Sequence, residues 1–247
     1  MVVWTNARID QLGNRLRCGD LSVETLTQLD AYRASFFPAY EGVVNKLQGQ
    51  LGWTLTGRPA KSTTALLDKL ARQKVRLSQV QDIAGCRVVV DDFFLQERAL
   101  LAMDVYLDSP IVYDRRVRSS HGYRAVHLVA AINGRKVEIQ LRTQLQHLWA
   151  EISEKISDTV DPQIKYGVGN PVALRFLSRF SDAIRRVELE EEARRKVMFD
   201  LHGRGLLNTQ NGKRKLREIE KRYFEKRKHL LQLLQDVERD MTRQVAA

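Results

Sequence analysis

Four short segments carry residues whose types and spacing could do chemistry. Residues 137–143 (VEIQLRT) alternate apolar and polar side chains, the period of a β-strand. Val137, Ile139 and Leu141 share one face; Glu138, Gln140 and Arg142 share the other. Any half-exposed strand alternates in this way, so the neighbouring strand has to add weight. In residues 125–132, His127 alternates away from Val126, Leu128 and Ile132. A hairpin pairing in register would set His127 on the polar face of Glu138, although a lone histidine is by default a satisfied structural residue. The second segment is residues 81–87 (QDIAGCR), where Asp82 precedes a β-branched apolar run and so stands near a sheet end. If Asp82 and Glu138 converge, they suit Mg²⁺, which takes hard oxygen ligands and substrate phosphates. The alternative is a turn aspartate and a surface glutamate that never meet, and spacing does not decide between the two.

The third segment is cationic. Arg58, Lys61, Lys69, Arg72 and Lys74 cluster around a helix start that offers Ser62, Thr63 and Thr64 as hydroxyls and caps. A helix N-terminus with nearby cations can take phosphate. The Gly-Lys-Ser/Thr pattern of a P-loop is missing, so no Walker-type site follows. The fourth segment is residues 120–124 (SHGYR), where Gly122 beside Tyr123 offers a stacking surface for a base or simply a turn entering a strand.

The elements that must position these groups follow from periodicity. Leu26, Leu29, Tyr32, Phe36, Val43, Val44, Leu47 and Leu51 recur at three-to-four spacing and predict helix, with Ser22 as N-cap, a kink at Pro38 and a stop at Gly52. A helix is predicted over residues 63–74, with Leu66, Leu67 and Leu70 on one side. Residues 87–90 (RVVV) suit a central strand. Residues 93–107 read as a helix with Phe94, Leu101 and Val105 inward. Strands are predicted over residues 111–116, 125–132 and 136–142, the last two joined by Asn133-Gly134, a strong hairpin signal. From Thr143 the chain is helical, with breaks near Asp161-Pro162, at residues 167–171 and at residues 203–212. The order is that of an α+β core with helical flanks: an N-terminal helical segment (residues 1–52), a core (53–160) and a C-terminal extension (161–247).

Composition bounds the partners. The 247 residues are 43% hydrophobic, enough for a core, and carry a net charge of +11, which points to a polyanion such as a nucleotide or RNA. Cys18 and Cys86 make neither a disulfide framework nor a cysteine-rich zinc site. No apolar run approaches the roughly 18 residues that span a bilayer, and the first residues show no secretion signal, so a reduced cytoplasmic protein without membrane contact is expected. Residues 204–247 hold 12 Lys/Arg and 6 Asp/Glu, with a near-heptad stripe of Leu216, Ile219, Tyr223, Leu230, Leu233, Val237 and Met241. That helix either packs on its own domain or presents a surface to nucleic acid or a partner.

Taken in order, GRPAKSTTALLDKL, QDIAGCRVVV, HGYRAVH and VEIQLRT resemble the synthetase domain of the RelA/SpoT family, the makers of guanosine tetra- and pentaphosphate alarmones. Each piece alone is weak; the ordered set is specific. The length, and the lack of a His-Asp hydrolase pattern, resemble the small alarmone synthetases. The resemblance implies a nucleotidyltransferase-like mixed sheet of about five strands flanked by helices, with long N- and C-terminal helices. It implies transfer of the β,γ-pyrophosphate of ATP to the 3′-hydroxyl of GDP or GTP, with release of AMP. By resemblance, Asp82 and Glu138 are catalytic and hold Mg²⁺, and Glu138 draws the proton from the attacking hydroxyl. Arg58, Lys61 and Lys69 would hold ATP with Arg87 nearby; His127, Gln140 and Arg142 would line the phosphate cleft; Tyr123 would stack on the acceptor base.

Two features depart from the family pattern. Arg58 and Lys61 are separated by two residues where one is usual, and Ala65 stands where a Ser is usual. The loop at residues 114–121 is short and arginine-rich where alarmone makers carry a longer loop with an Asp-Tyr followed by a Lys. This opens a second reading, in which the acceptor is the 3′-terminal adenosine of tRNA, as in toxic small members that block translation. Arg118 would then join Tyr123 in holding the acceptor. An antitoxin protein and further copies of the chain are partners by the same resemblance. A third reading is an inactive nucleotide-binding regulatory protein.

Overall fold

The computed structural model describes residues 3–117, 119 and 121–246. Arg118 lies outside the described residues. The chain forms two compact units: Met1–Val88 with Ala99–Tyr113 and Val126–Leu141, and Val89–Arg98 with Asp114–Ala125 and Arg142–Ala247. No helix among the described residues is long and apolar enough to cross a membrane.

The centre of the first unit is the expected five-stranded mixed sheet, with helices around it. Its strands are β1 (Leu55–Arg58), β2 (Ala84–Val90), β3 (Ile111–Asp114), β4 (Val126–Ile132) and β5 (Arg135–Thr143), in the order β1-β2-β5-β4-β3. β1 is not legible in the sequence because LTGR has neither alternation nor β-branched density. Gly57 explains how so poor a strand pairs: a Cβ there would stand 2.7 Å from the Cys86 Cα and from the Gly85 carbonyl oxygen. The glycine therefore lets β1 approach β2 closely. β4 and β5 form a two-residue hairpin at Asn133-Gly134, with φ of 50° and 74°. Two consecutive positive φ values are those of the turn whose twist matches the flanking strands.

The N-terminal stripe is buried at Leu29, Tyr32, Phe36, Val43 and Leu47. After α1 (Asn6–Arg17), it is carried by α2 (Val23–Ala34), by α3 (Phe37–Asn45) with its cap Phe36, and by the helical turn Lys46–Gln50 that follows. Ser22 caps α2 as expected, its side chain accepting from the Thr25 amide. Pro38 does not kink a continuous helix. It sits in the first turn of α3, where a missing N–H has no intrahelical partner to lose. α4 (Thr63–Gln73) is capped by Ser62 and buries Leu66 and Leu70.

α5 (Phe93–Tyr106) reverses an expectation. Leu101 and Val105 point to solvent, and Gln96, Ala99 and Met103 are buried. Gln96 can occupy an inner position because Gln146 satisfies its amide, donating at 3.5 Å and accepting at 2.8 Å. β3 stops at Asp114, short of the expected Arg116, because the Arg116 backbone amide turns back to donate to the Asp114 carboxylate at 2.9 Å.

In the second unit, α6 (Gln144–Thr159), α7 (Pro171–Gly203) and α8 (Gln210–Ala246) pack on one another around Trp149, Ile152, Leu177, Ile184, Tyr223 and Leu234. α6 opens with Thr143 and Gln146 capping each other's backbone amides, a reciprocal arrangement that starts a helix sharply. The α8 stripe holds at Tyr223 and Leu230, but Leu234 is buried and Leu233 is exposed. The helical period of 3.6 carries the seam on from Leu230 to Leu234.

Candidate active site

The hairpin builds the first half of the site. Its register pairs His127 with Gln140 and Val129 with Glu138, so His127 is diagonal to Glu138 on the same face, within reach of a long side chain. His127 Nδ1 and Glu138 Oε1 are 2.8 Å apart, and Gln140 Nε2 donates to Glu138 Oε2 at 3.2 Å. Both oxygens of one half-buried carboxylate are thus engaged. A bond to an ionised carboxylate requires hydrogen on Nδ1. Gly85 brings β2 close: a Cβ there would stand 3.0 Å from the Glu138 carbonyl oxygen.

Asp82 supplies the second half, just before β2. Lys61 Nζ and Lys69 Nζ donate to its two oxygens at 2.7 Å each. Lys61 is anchored through its backbone, its amide donating to the Ile83 carbonyl at 2.7 Å, while Lys69 projects from α4. Burial pushes the Asp82 carboxyl up, but the bonds and charges of the two lysines outweigh it and hold the pKa below the usual aspartate value. Burial likewise pushes Glu138 up. The hydrogen bond and charge of His127, aided by Gln140, hold it below the usual glutamate value, against the opposing charge of Asp82. The two carboxylates therefore lie close enough to feel one another, and both are ionised at neutral pH. The neighbouring Cys86 thiol is raised to about 12, chiefly by burial and then by the Glu138 charge, so it is no nucleophile.

The remaining expected residues distribute as follows. Arg58 ends β1 opposite Gly85 with an exposed side chain, outside the lysine–aspartate cluster. Arg87 lies on β2 opposite Thr56. In the second unit, Arg142 Nη2 donates to the Tyr123 hydroxyl at 2.9 Å, with the guanidinium 5.2 Å from the ring centroid. Sequence reasoning missed what holds this tyrosine. Gly122 has φ +88°, and a Cβ there would stand 2.8 Å from Trp149 Cζ2. Ser181 Oγ donates to the Gly122 carbonyl at 2.7 Å. Arg124 donates to Glu188 at 2.6 Å in a buried pair, and Gln146 donates to the other Glu188 oxygen at 2.7 Å. Glu188 is 64 residues from Arg124, in the acidic run ELEEE of α7, and no local pattern signals the pairing.

Hard carboxylate oxygens suit a divalent ion, and the repulsion that Asp82 exerts on Glu138 is what such an ion relieves. Asp82 and Glu138 are the side chains here that could hold such an ion. Among the described residues, no group of three or more His, Cys, Asp or Glu side chains is arranged for a metal.

Residues 57–158 match the model of a region found in RelA/SpoT proteins. A GTP pyrophosphokinase of Bacillus subtilis, YjbM, is 32% identical over 154 residues, which cover 55% of this chain and 68% of that protein. The chain belongs to the RelA/SpoT family. An uncharacterised protein of Mycobacterium tuberculosis is 35% identical over 173 residues, or 66% of this chain, and the chain spans 62% of that relative's length. The fold is that of the small alarmone synthetase 1 from Bacillus subtilis, with a TM-score of 0.57 at 23% identity, covering 70% of this chain and 98% of that one. The RelA/SpoT region, as matched, contains Lys61, Lys69, Asp82, Tyr123, His127, Glu138 and Arg142.

Proposed function

We propose that the chain is an ATP-dependent pyrophosphokinase that moves the β,γ-pyrophosphate of ATP to the 3′-hydroxyl of GDP or GTP. The observation that carries this reading is the pair of ionised, mutually repelling carboxylates, Asp82 and Glu138, beside the two ammonium groups of Lys61 and Lys69. Kinship with a GTP pyrophosphokinase supports the acceptor class.

In this reading, Lys61 and Lys69 exchange Asp82 for the triphosphate of ATP. Their charges then offset those of the phosphate oxygens, and positioning with neutralisation is most of what such a transfer needs. Mg²⁺, held by Asp82 and Glu138, would supply further neutralisation of the same oxygens. Glu138, ionised and fixed by His127 and Gln140, accepts the proton from the attacking 3′-hydroxyl. The O3′–Pβ bond forms, the bond from Pβ to the α,β-bridging oxygen breaks, and AMP leaves with that oxygen. Tyr123, held by Arg142, takes the acceptor base.

Transfer to the 3′ end of tRNA is the competing reading, since the loop at residues 114–121 is short and basic. The structure lessens its weight: Arg116 is consumed within the protein, bound to Asp114 and Glu97. One incubation with γ-labelled ATP, Mg²⁺, GDP, GTP and tRNA decides among the readings. Label in guanosine tetra- or pentaphosphate is expected. Label on the tRNA 3′ end overturns the acceptor assignment, and label in neither makes the chain a non-catalytic nucleotide binder.

A further inference from the structure

One strongly charged surface has no part in the reaction above. On α8, Arg214, Arg217, Lys221, Phe224 and Lys228 recur at spacings of three, four, three and four, which place them in one stripe along a helix. All five are exposed; the four cations lie on the side away from the buried Tyr223, Leu230 and Leu234, and Phe224 borders that face, its ring edge-on to Tyr223 with centroids 5.1 Å apart and the Arg194 guanidinium 5.6 Å from its centroid. The cations at the junction of α7 and α8 have structural employment: Arg222 and Lys226 pair with Glu190 at 2.8 and 2.6 Å, and Arg227 donates to the Asp91 carbonyl and the Gln144 side chain. Those of the stripe do not. Among the described residues, Arg214, Arg217 and Lys228 make no ion pair or hydrogen bond, and Lys221 has only Glu225 at 4.0 Å, both largely in solvent. Lys213 and Lys215 add two exposed cations beside the stripe; Glu218 and Glu225 are the acids that flank it.

The stripe runs 14 residues, about 21 Å at about 1.5 Å per residue. Over that length a stacked strand presents roughly six phosphates. Phe224, 53% exposed, stands among the cations, and an aromatic ring between basic groups is the element that binds unpaired bases. A lipid surface fits less well, because it needs a broad apolar face, and that of α8 is already packed against α6 and α7. Among nucleic acids, RNA is the one that commonly offers unpaired bases for stacking.

We propose that this face of α8 is a docking surface for single-stranded RNA, bound through its phosphates and one stacked base without sequence preference. The inference goes beyond the transfer reaction and holds for either acceptor. Its test uses the full chain, a fluorescein-labelled 20-nucleotide mixed-sequence RNA and anisotropy between 50 and 200 mM KCl. Saturable binding is expected, with log affinity falling linearly against log salt. The variant R214Q/R217Q/K221Q/K228Q should bind at least about tenfold more weakly, with a salt slope shallower by about 3, near 0.7 for each phosphate that is no longer neutralised. F224A should weaken binding about fivefold or more, as loss of one stacked base implies. R239Q/R243Q, further along α8, should match the parent. Retention of ATP-to-GTP transfer by the quadruple variant would separate this surface from the reaction; absence of transfer in both proteins would count against the reaction and leave the binding result standing. The proposal is overturned if the quadruple variant binds RNA as the parent does, if the parent prefers duplex over single strands, or if a polyglutamate peptide binds as tightly as RNA, which would mark an acidic protein as the partner.

Discussion

His127 and Glu138 stand diagonally across the β4–β5 ladder, with Nδ1 and Oε1 2.8 Å apart. The glutamate is thereby fixed in position and kept ionised, the state a proton acceptor needs. Glu138→Gln keeps the shape of the side chain and one acceptor oxygen while removing the charge. Pyrophosphate transfer should fall by roughly 10²–10³, with circular dichroism and the urea midpoint near those of the parent. Transfer within tenfold of the parent would remove Glu138 from its role.

Gly122 holds a conformation and a space that only glycine fits: φ is +88°, and Trp149 and Ser181 lie at 2.8 and 3.2 Å from where a Cβ would be. Gly122→Ala should cost about 1–3 kcal/mol of stability, read from urea unfolding, and should shift Tyr123. The KM for the guanosine nucleotide then rises while that for ATP stays within twofold. Gly134, with φ +74° and open space around it, is the comparison. Gly134→Asn should be nearly neutral, because asparagine tolerates that conformation. Equal effects at the two glycines would show that crowding against Trp149 has no part in holding Tyr123.

Asp114 is pushed up by burial but held below the usual aspartate value of 3.8 by the hydrogen bonds and charge of Arg116. A carboxyl depressed in the folded state contributes stability above its unfolded pKa and loses it as pH falls through the folded one. The parent should therefore lose stability relative to Asp114→Asn as pH drops from about 5 towards 2. Parallel urea midpoints for the two proteins over that range would show that Asp114 adds nothing to acid sensitivity.

Much of the site is legible in the sequence because its geometry is local. The alternation of VEIQLRT sets Glu138 and Gln140 on one face, and a two-residue turn at Asn133-Gly134 fixes the register that brings His127 to them. Ser62 as the cap of α4, and the helix that carries Lys69, follow from spacing in the same way. Where a short-range pattern is ambiguous, it misleads. Leu101 and Val105 look inward by hydropathy, yet Gln96 and Met103 take the buried stripe, because Gln146, 50 residues on, satisfies the amide.

The amino-acid order by itself determined the strand faces, the hairpin register, the helix caps and the family, since each rests on steric and hydrogen-bonding rules acting over a few neighbouring residues or on motifs in series. Only the tertiary structure decided that Lys61 and Lys69 close on Asp82, that the charge of Asp82 reaches Glu138, and that Glu188 anchors Arg124 beside Tyr123. Those interactions join residues 13 to 64 positions apart. They exist only once burial of the apolar faces has brought the elements together, because the entropy of closing such loops is not recovered by any one polar interaction.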